Sequence, residues 1–193
     1  MSENGFFAFV HRMKYITRWG LMRNTNYENL KEHSFDVAVI AHGLATIGNC
    51  YYGKNYNADE IAMSAMFHDA NEAITGDMPT PVKYGNPEIR KAYKELEAQA
   101  VKRILCMLPE ELEKEYVHYF YIADEQEKQI VKAADKISAY IKCLEEERAG
   151  NDDFSTAQKT LKKAIDKYDL PEVRHFMKKF VPVYGMNVDD VSC

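Results

Sequence analysis

Helix-forming patterns occupy almost the whole chain, and no run of alternating β-branched residues is long enough to predict a strand. The helix boundaries carry their usual signals: Asn57 is followed three residues later by Glu60, and Gly150 follows a long helical stretch. The pattern predicts helices over about 5–16, 30–50, 58–73, 87–107 and 125–149, a shorter one after 109, two more that meet near 171, and an extended loop around 79–81. The sequence therefore predicts an all-α fold, a single-domain helical bundle over residues 1–193 with core helices from about 5 to 182 and a short C-terminal tail.

Composition limits which partners the chain can attract by charge alone. The 193 residues are 46% hydrophobic, which is enough for a real core, and the formal net charge is −5. This charge does not favour DNA, RNA or an anionic membrane as a partner. A phosphate ligand would therefore need a local device, such as a metal ion, an arginine or a helix N-terminus.

The cysteines and the N-terminal segment both indicate an intracellular protein. Cys50, Cys106, Cys143 and Cys193 are far apart and form no CxxC pair, which predicts free thiols in a reducing compartment. The first apolar run is interrupted by charged residues at positions 12 and 14, so it fits neither a signal peptide nor a membrane span. We expect a cytoplasmic location.

An imidazole and two carboxylates lie within the otherwise apolar segment 65–77, at His68, Asp69 and Glu72. Burying such groups costs several kcal/mol unless they are paired or bind a metal ion. On a continuous helix Glu72 would lie about 40° round from His68, so all three side chains could address one cavity. The segment therefore predicts a polar site on the helix that carries it.

His68 and Asp69 alone would hold a catalytic metal ion poorly. Two other predicted helices offer further candidate ligands. His33 lies near the start of the helix over 30–50, and Asp135 borders an apolar stripe on the long later helix. The set of His33, His68, Asp69 and Asp135 combines two imidazoles with two carboxylates, which suits Mn²⁺, Co²⁺, Fe²⁺ or Mg²⁺. His42 lies nine residues after His33 and therefore about 180° away on the same helix, so both cannot face one metal ion.

The order of these candidates resembles a known family. A lone His, a later His-Asp pair and then a lone Asp form the pattern of HD-domain phosphohydrolases, which are all-α proteins. Further segments are similar to bacterial 5′-deoxynucleotidases, and the resemblance runs from Phe6 to about Pro182, weakest between Glu113 and Lys128. These segments are Arg18-Trp19, Glu32-His33-Ser34, His68-Asp69-Ala70 with Glu72, Gly76-Asp77 with Pro79-Thr80-Pro81-Val82-Lys83-Tyr84, and Tyr140-Ile141-Lys142-Cys143-Leu144-Glu145-Glu146.

The resemblance implies a role for each candidate residue. The implied ligands of one divalent metal ion are His33, His68, Asp69 and Asp135. The implied substrate-binding set is Arg18, Trp19, His33, Asp69, Asp77, Met78, Pro79, Thr80 and Asp135. Arg18 would hold the phosphate and Trp19 would pack on the sugar or base. The implied catalytic residues are Arg18 and Glu72, with Glu72 orienting the attacking water or handling its proton.

The resemblance also implies a reaction and a state of assembly. The expected reaction is metal-dependent hydrolysis of 2′-deoxyribonucleoside 5′-monophosphates to deoxyribonucleosides and phosphate. The expected state is a cytoplasmic homodimer that binds neither a nucleic acid polymer nor a membrane.

Other interpretations of the same residues stay open at this point. A lone histidine such as His33 is usually only hydrogen bonded, Trp19 could belong to the core, and Asp135 lies between two lysines that could pair with it. The substrate could instead be a nucleoside triphosphate, a cyclic nucleotide or an alarmone. A non-catalytic dimerisation module with a structural metal is also possible, although Glu72 and Arg18 are not needed merely to hold an ion.

Overall fold

The computed structural model describes residues 4–191 as α-helices joined by turns and short 3₁₀ segments. The helices are α1 (Phe6–Val10), α2 (Leu30–Tyr52), α3 (Ala58–Phe67), α4 (Glu72–Thr75), α5 (Thr80–Tyr84), α6 (Pro87–Leu105), α7 (Glu110–Phe120), α8 (Glu125–Arg148), α9 (Ser155–Ile165) and α10 (Pro171–Lys179). Within the described residues, the only β-type pairing is an isolated antiparallel bridge between Thr17 and Asn29. The all-α prediction is confirmed.

Two groups of buried apolar side chains form the interior, and the candidate site lies where they meet. In the larger group α2 packs against α3 and α8, with Leu44, Ile61 and Ile137 fully or almost fully buried. The smaller group includes Leu30 at the start of α2 and Phe67 at the end of α3. Because the first turn of α2 and the end of α3 both border the smaller group, the polar residues beside them are held between two packed regions.

The start of α2 is fixed by a capping box that the sequence analysis did not single out. The side chain of Asn29 accepts hydrogen bonds from the backbone N–H groups of Lys31 and Glu32, at 3.0 and 3.1 Å. The Glu32 carboxylate accepts one in return from the backbone N–H of Asn29, at 3.2 Å. This arrangement satisfies donors that a helix start leaves free, and it places His33 in the first turn of α2.

The helix predicted over 58–73 is wrong in its second half, because α3 ends at Phe67. Tighter turns follow, in which the N–H of Ala70 bonds to the carbonyl of Phe67 at 3.0 Å and that of Glu72 to Asp69 at 2.9 Å. The His68 ring lies 2.6 Å from the Ala65 carbonyl, an acceptor that an uninterrupted helix would use for the N–H of residue 69. His68 and Glu72 therefore do not share one regular helix, and their angular relation cannot be taken from helical geometry.

Two other segments also differ from the prediction. The helix expected over 5–16 is split into α1 and a 3₁₀ segment over His11–Tyr15. The loop expected around Pro79 and Pro81 contains α5 instead. Proline is tolerated in the first turn of a helix because its missing N–H has no intrahelical partner there.

Two further predictions concern the cysteines and membrane spans. Cys50, Cys106 and Cys143 are free thiols, and Cys193 lies outside the described residues. Across residues 4–191, no helix has both the length and the apolar character needed to cross a bilayer.

A buried carboxylate ties the segment after Trp19 to α8. Glu146 is fully buried and accepts hydrogen bonds from the backbone N–H groups of Thr25 and Asn26, at 2.9 and 3.1 Å. The side chains of Asn151 and Lys142 also donate to it, and Lys142 donates as well to the carbonyl of Asn26. Burial opposes ionisation of Glu146, but these bonds outweigh burial and lower its pKa to about 2.

We expect Glu146→Ala to lower the free energy of unfolding at pH 7 by about 3–5 kcal/mol, because it leaves the Lys142 charge buried without its partner. A folded-state pKa below the ordinary 4.5 means that the ionised carboxylate stabilises the fold above pH 4.5 and that this contribution is lost as the pH falls towards 2. Urea titrations at pH 7 and pH 3 check both points. If Glu146→Gln lowered the free energy of unfolding equally at the two pH values, the ionised carboxylate would not be the source of the stabilisation.

Candidate active site

The four predicted metal ligands converge from three parts of the chain. His33 comes from α2, His68 and Asp69 follow the end of α3, and Asp135 comes from the middle of α8. The Nε2 atom of His33 lies 3.2 Å from Asp135 Oδ1 and 3.8 Å from Asp69 Oδ2. The Nε2 atom of His68 lies 3.0 Å from Asp69 Oδ2 and 3.9 Å from Asp135 Oδ1. The two imidazoles thus face the same pair of carboxylates.

The chemistry of this cluster fits a divalent cation. The Nε2 atoms of His33 and His68 are buried and have no hydrogen bond of acceptable geometry, although carboxylate oxygens lie close to both. One ligand atom each from His33, His68 and Asp135 lie within 4.8 Å of one another, and Asp69 Oδ2 lies beside both rings. The side chains of Asp69 and Asp135 are 22% and 34% exposed, so solvent or a ligand can reach the carboxylate side. Orphaned ring nitrogens beside two carboxylates are what a bound cation would satisfy.

Contacts outside the cluster hold both rings in place. The Nδ1 atom of His68 can only donate to the Ala65 carbonyl, at 2.6 Å, so in the neutral ring Nε2 carries the free electron pair. The Nδ1 atom of His33 lies 3.1 Å from the hydroxyl oxygen of Ser138, one turn after Asp135 on α8. Such outer hydrogen bonds orient metal-binding imidazoles in proteins.

The charges of the cluster stabilise one another. Burial alone would lower the pKa of His68, but the carboxylates of Asp69 and Asp135 outweigh burial and raise it to about 9. Burial would raise the pKa values of both carboxyls, yet the nearby imidazoles lower them below the usual range. The same electrostatic field that retains a proton on His68 would attract a metal cation in its place.

Arg18 adds a cation next to the Asp69 oxygen that faces both imidazoles. Its Nη1 atom lies 3.5 Å from Asp69 Oδ2, and its Nε donates to Glu28 Oε2 at 3.0 Å. The Arg18 side chain is only 12% exposed, so this pair is shielded from water more than a surface ion pair is. The guanidinium therefore lies at the rim of the candidate metal site.

Glu72 is buried close to the same charges and lacks a partner. The residue is 5% exposed, and its Oε2 atom makes no hydrogen bond. Burial, and then the negative charges of Asp69 and Asp77, raise the pKa of Glu72 to about 9. A carboxyl group with a strongly raised pKa in a cleft is a candidate for proton transfer.

Trp19 and Asp77 lie next to Arg18. Trp19 is the one non-glycine residue of the described chain with a positive φ, at 59°, and its ring lies 5.2 Å from the ring of Phe154. Burial raises the pKa of Asp77, while Arg18 and the backbone N–H of Trp19 favour its ionised form. The predicted substrate residues Arg18, Trp19 and Asp77 therefore lie together.

The other predicted residues of the loop are placed less closely. Met78 and Pro79 are half-buried and Thr80 is exposed. Within residues 4–191, no hydrogen bond or ion pair joins these three side chains to the cluster of His33, His68, Asp69 and Asp135. His42 is half-exposed and lies 3.4 Å from Asp59, away from that cluster, as the helical spacing predicts.

A family model described as 5′-deoxynucleotidase YfbR-like matches residues 5–184 of this chain. The chain belongs to the YfbR-like 5′-deoxynucleotidase family. Full-length relatives agree with this assignment. The 5′-deoxynucleotidase of Vibrio parahaemolyticus is 46% identical over 194 residues, and that of Vibrio vulnificus is 48% identical over 195 residues, each match covering 100% of both chains.

Solved structures confirm the fold of this YfbR-like chain. An HD-domain phosphohydrolase from Listeria innocua superposes with a TM-score of 0.82 at 24% identity, over 95% of this chain and 90% of that one. The HD phosphohydrolase DatZ of cyanophage S-2L, solved with dA and one catalytic Zn²⁺ ion, superposes with a TM-score of 0.66 at 19% identity, over 92% and 95% of the two chains. The HD-type helical fold predicted from the sequence is confirmed.

Two residues around the YfbR-like site were missed by sequence reasoning. Ser138 could have been found, because a residue three positions after Asp135 shares its helix face. Glu28 gave a weaker signal: it lies ten positions after Arg18, on the far side of a polar turn that could bring the two segments together.

Proposed function

We propose that this protein hydrolyses 2′-deoxyribonucleoside 5′-monophosphates to deoxyribonucleosides and phosphate with the help of a divalent metal ion. The observation that carries the proposal is the pair of buried, unpartnered Nε2 atoms of His33 and His68 beside the carboxylates of Asp69 and Asp135. The names of the family and of its full-length relatives support the choice of substrate.

The metal ion would be held by His33, His68, Asp69 and Asp135. When bound there, it would supply Lewis acidity that activates water and polarises a phosphoryl oxygen. The mixture of imidazole and carboxylate ligands suits Mn²⁺, Co²⁺, Fe²⁺ or Mg²⁺. Zn²⁺ belongs in the same test, because DatZ was solved with it.

Arg18 would bind the phosphate group. Its Nε is already occupied by Glu28, whereas Nη1 lies at the longer distance of 3.5 Å from Asp69. The planar guanidinium can turn its terminal N–H groups to phosphate oxygens and offset the charge that develops there during hydrolysis.

Glu72 would hold and release a proton at Oε2, the oxygen that has no partner in the fold. Its raised pKa arises from burial and from nearby carboxylates, so a cation bound by Asp69 would lower it towards neutrality. A group whose pKa is near the working pH is suited to orient the attacking water and to take its proton.

Trp19 and Asp77 would select the sugar. The indole ring is fixed against Phe154, and Asp77 lies beside the Trp19 backbone, so together they bound the space next to Arg18. Asp77 would accept a hydrogen bond from a sugar 3′-hydroxyl, while the ring would leave no room or partner for a 2′-hydroxyl. In this proposal the two side chains would favour deoxyribose over ribose.

We expect the wild type to prefer dAMP over AMP in kcat/KM by about 10–200-fold, the range for a small group excluded from a fitted pocket. Trp19→Ala should narrow this gap because it removes one wall. Tyr51→Ala is the matched control, since Tyr51 is an exposed aromatic residue near the far end of α2. Equal kcat/KM values for the two nucleotides in the wild type would remove the deoxyribose claim.

The proposed function is tested by chromatographic separation of the products formed from dAMP, AMP, dATP and cyclic AMP, because opening the cyclic phosphodiester releases no phosphate and dATP can release triphosphate instead. The full chain is first treated with a chelator, and Mn²⁺, Co²⁺, Mg²⁺ and Zn²⁺ are then added separately. We expect no turnover in the chelated protein, and hydrolysis of dAMP above that of the other substrates after metal addition. Turnover of dATP or cyclic AMP alone would reassign the substrate, and metal binding without any turnover would favour a non-catalytic module.

Three further properties are proposals of the same kind. They are a homodimeric state, a cytoplasmic location and folding of residues 1–193 as one domain. Sedimentation of the purified chain tests the first, cell fractionation the second, and a single cooperative unfolding transition the third.

A further inference from the structure

One carboxylate oxygen joins the two residues proposed to bind phosphate and sugar. Glu28 Oε2 accepts a hydrogen bond from Arg18 Nε at 3.0 Å and another from Trp19 Nε1 at 3.1 Å. The Glu28 side chain is 11% exposed, so water competes little for these bonds. Because both donors share the same oxygen, the guanidinium and the indole cannot move independently of each other.

The backbone holds Glu28 opposite these residues. The N–H of Arg18 donates to the Glu28 carbonyl at 3.0 Å, and the N–H of Leu30 donates to the Ile16 carbonyl at 2.9 Å. These bonds surround the antiparallel bridge between Thr17 and Asn29. Asn29 also caps α2, so the position of Glu28 is fixed relative to the helix that carries the first metal-ligand candidate.

The backbone of Trp19 needs such support. Its φ of 59° lies in the left-handed region, where a bulky residue persists only if its surroundings hold it. The Trp19 carbonyl accepts bonds from the N–H of Met22 at 2.8 Å and from the side chain of Asn24 at 3.3 Å. Those bonds fix the turn, and within residues 4–191 the bond to Glu28 is the one hydrogen bond at the polar edge of the indole ring.

We propose that Glu28 is a positioning residue that couples phosphate binding by Arg18 to sugar selection by Trp19. The inference rests on the proposed function. The bond at Nε restricts the plane of the guanidinium while Nη1 lies on the side of Asp69. The bond at Trp19 Nε1 fixes the ring that would exclude the 2′-hydroxyl. Loss of the carboxylate should therefore disturb affinity and sugar selectivity together.

Trp19 is the only tryptophan of the chain, so its fluorescence reports on this contact without any substrate. Four variants are compared with the wild type: Glu28→Ala, Glu28→Met, Glu28→Gln and the control Glu145→Gln. Glu145 lines the same small cavity as Glu28 but is exposed and has no hydrogen bond or ion pair to Arg18 or Trp19 in the described chain. The readouts are acrylamide quenching of the metal-free proteins, and kcat and KM of the metal-loaded proteins for dAMP and AMP.

We expect Glu28→Ala to lower kcat/KM for dAMP by about 10–100-fold, the cost of a misplaced binding group. Most of this change should lie in KM, the ratio of dAMP to AMP should fall, and acrylamide should quench Trp19 more strongly. Glu28→Gln should be intermediate in each readout, because its amide oxygen can still accept both bonds but lacks the negative charge that strengthens them. Glu145→Gln should behave as the wild type.

The possible failures are distinguishable. If the wild type hydrolyses dAMP and Glu28→Ala keeps its selectivity ratio and its quenching, the positioning role is overturned and the proposed function stands. If the wild type releases no phosphate from dAMP, the proposed function falls, and quenching alone decides whether Glu28 holds the indole. If Glu28→Ala does not fold, Glu28→Met is decisive, because it fills a similar volume without a strong acceptor and should therefore behave as expected for Glu28→Ala: wild-type selectivity and quenching in Glu28→Met would overturn the proposal.

Discussion

Replacing Asp69 with alanine should abolish hydrolysis of dAMP while leaving the helical content nearly unchanged. A single oxygen of Asp69 faces both candidate imidazoles, 3.0 Å from His68 and 3.8 Å from His33, and Arg18 lies 3.5 Å away. Removal of this carboxylate takes away the negative charge that His33, His68 and Arg18 share. The site should therefore lose affinity for a cation. Turnover of dAMP, metal content of the purified protein and far-ultraviolet circular dichroism measure the three quantities separately.

The control for this variant is Asp59→Ala. Asp59 lies in the first turn of α3, its side chain is 95% exposed, and its neighbour is His42 rather than the cluster. We expect wild-type turnover and metal content in the control. Full activity of metal-loaded Asp69→Ala would show that the site is assigned wrongly, whereas unfolding of the variant would show that Asp69 has a structural role instead.

The sequence was sufficient to predict the candidate ligands because each lies on or directly after a helix with a clear periodic pattern. His33 falls in the first turn of α2, and Asp135 borders the buried stripe of α8, so helical spacing alone indicates their direction. The exclusion of His42 followed from the same geometry. Order along the chain then linked the set to a family.

The features that were missed depend on single contacts between segments. The tightening after Phe67 accompanies the bond from the His68 ring to the Ala65 carbonyl, which competes with a helical hydrogen bond. The position of Glu28 depends on a backbone bridge across a turn, and the left-handed conformation of Trp19 has no signal in its residue type. Periodicity describes faces of regular helices, and these contacts lie outside regular helices.

Replacing Glu72 with glutamine should lower kcat for dAMP by about 10²–10⁴-fold, the usual contribution of a positioned acid or base. Glutamine has nearly the same shape as a protonated glutamate and cannot exchange a proton at that position. Because Glu72 is buried, with a pKa raised by burial and by the charges of Asp69 and Asp77, the fold already accepts an uncharged group there. Metal content and thermal stability should therefore stay at wild-type values while turnover falls.

A loss confined to kcat is what distinguishes proton transfer from binding at this position. An interaction made equally in the ground state and the transition state changes KM and leaves kcat unaltered. Glu95→Gln on α6 provides the control, because Glu95 is exposed to solvent and, within residues 4–191, has no hydrogen bond or ion pair to the cluster. A raised KM with wild-type kcat in Glu72→Gln would assign Glu72 to substrate binding. Loss of the metal ion in the same variant would instead place Glu72 among the groups that retain the cation, and the proton would then have to be handled by another residue of the site.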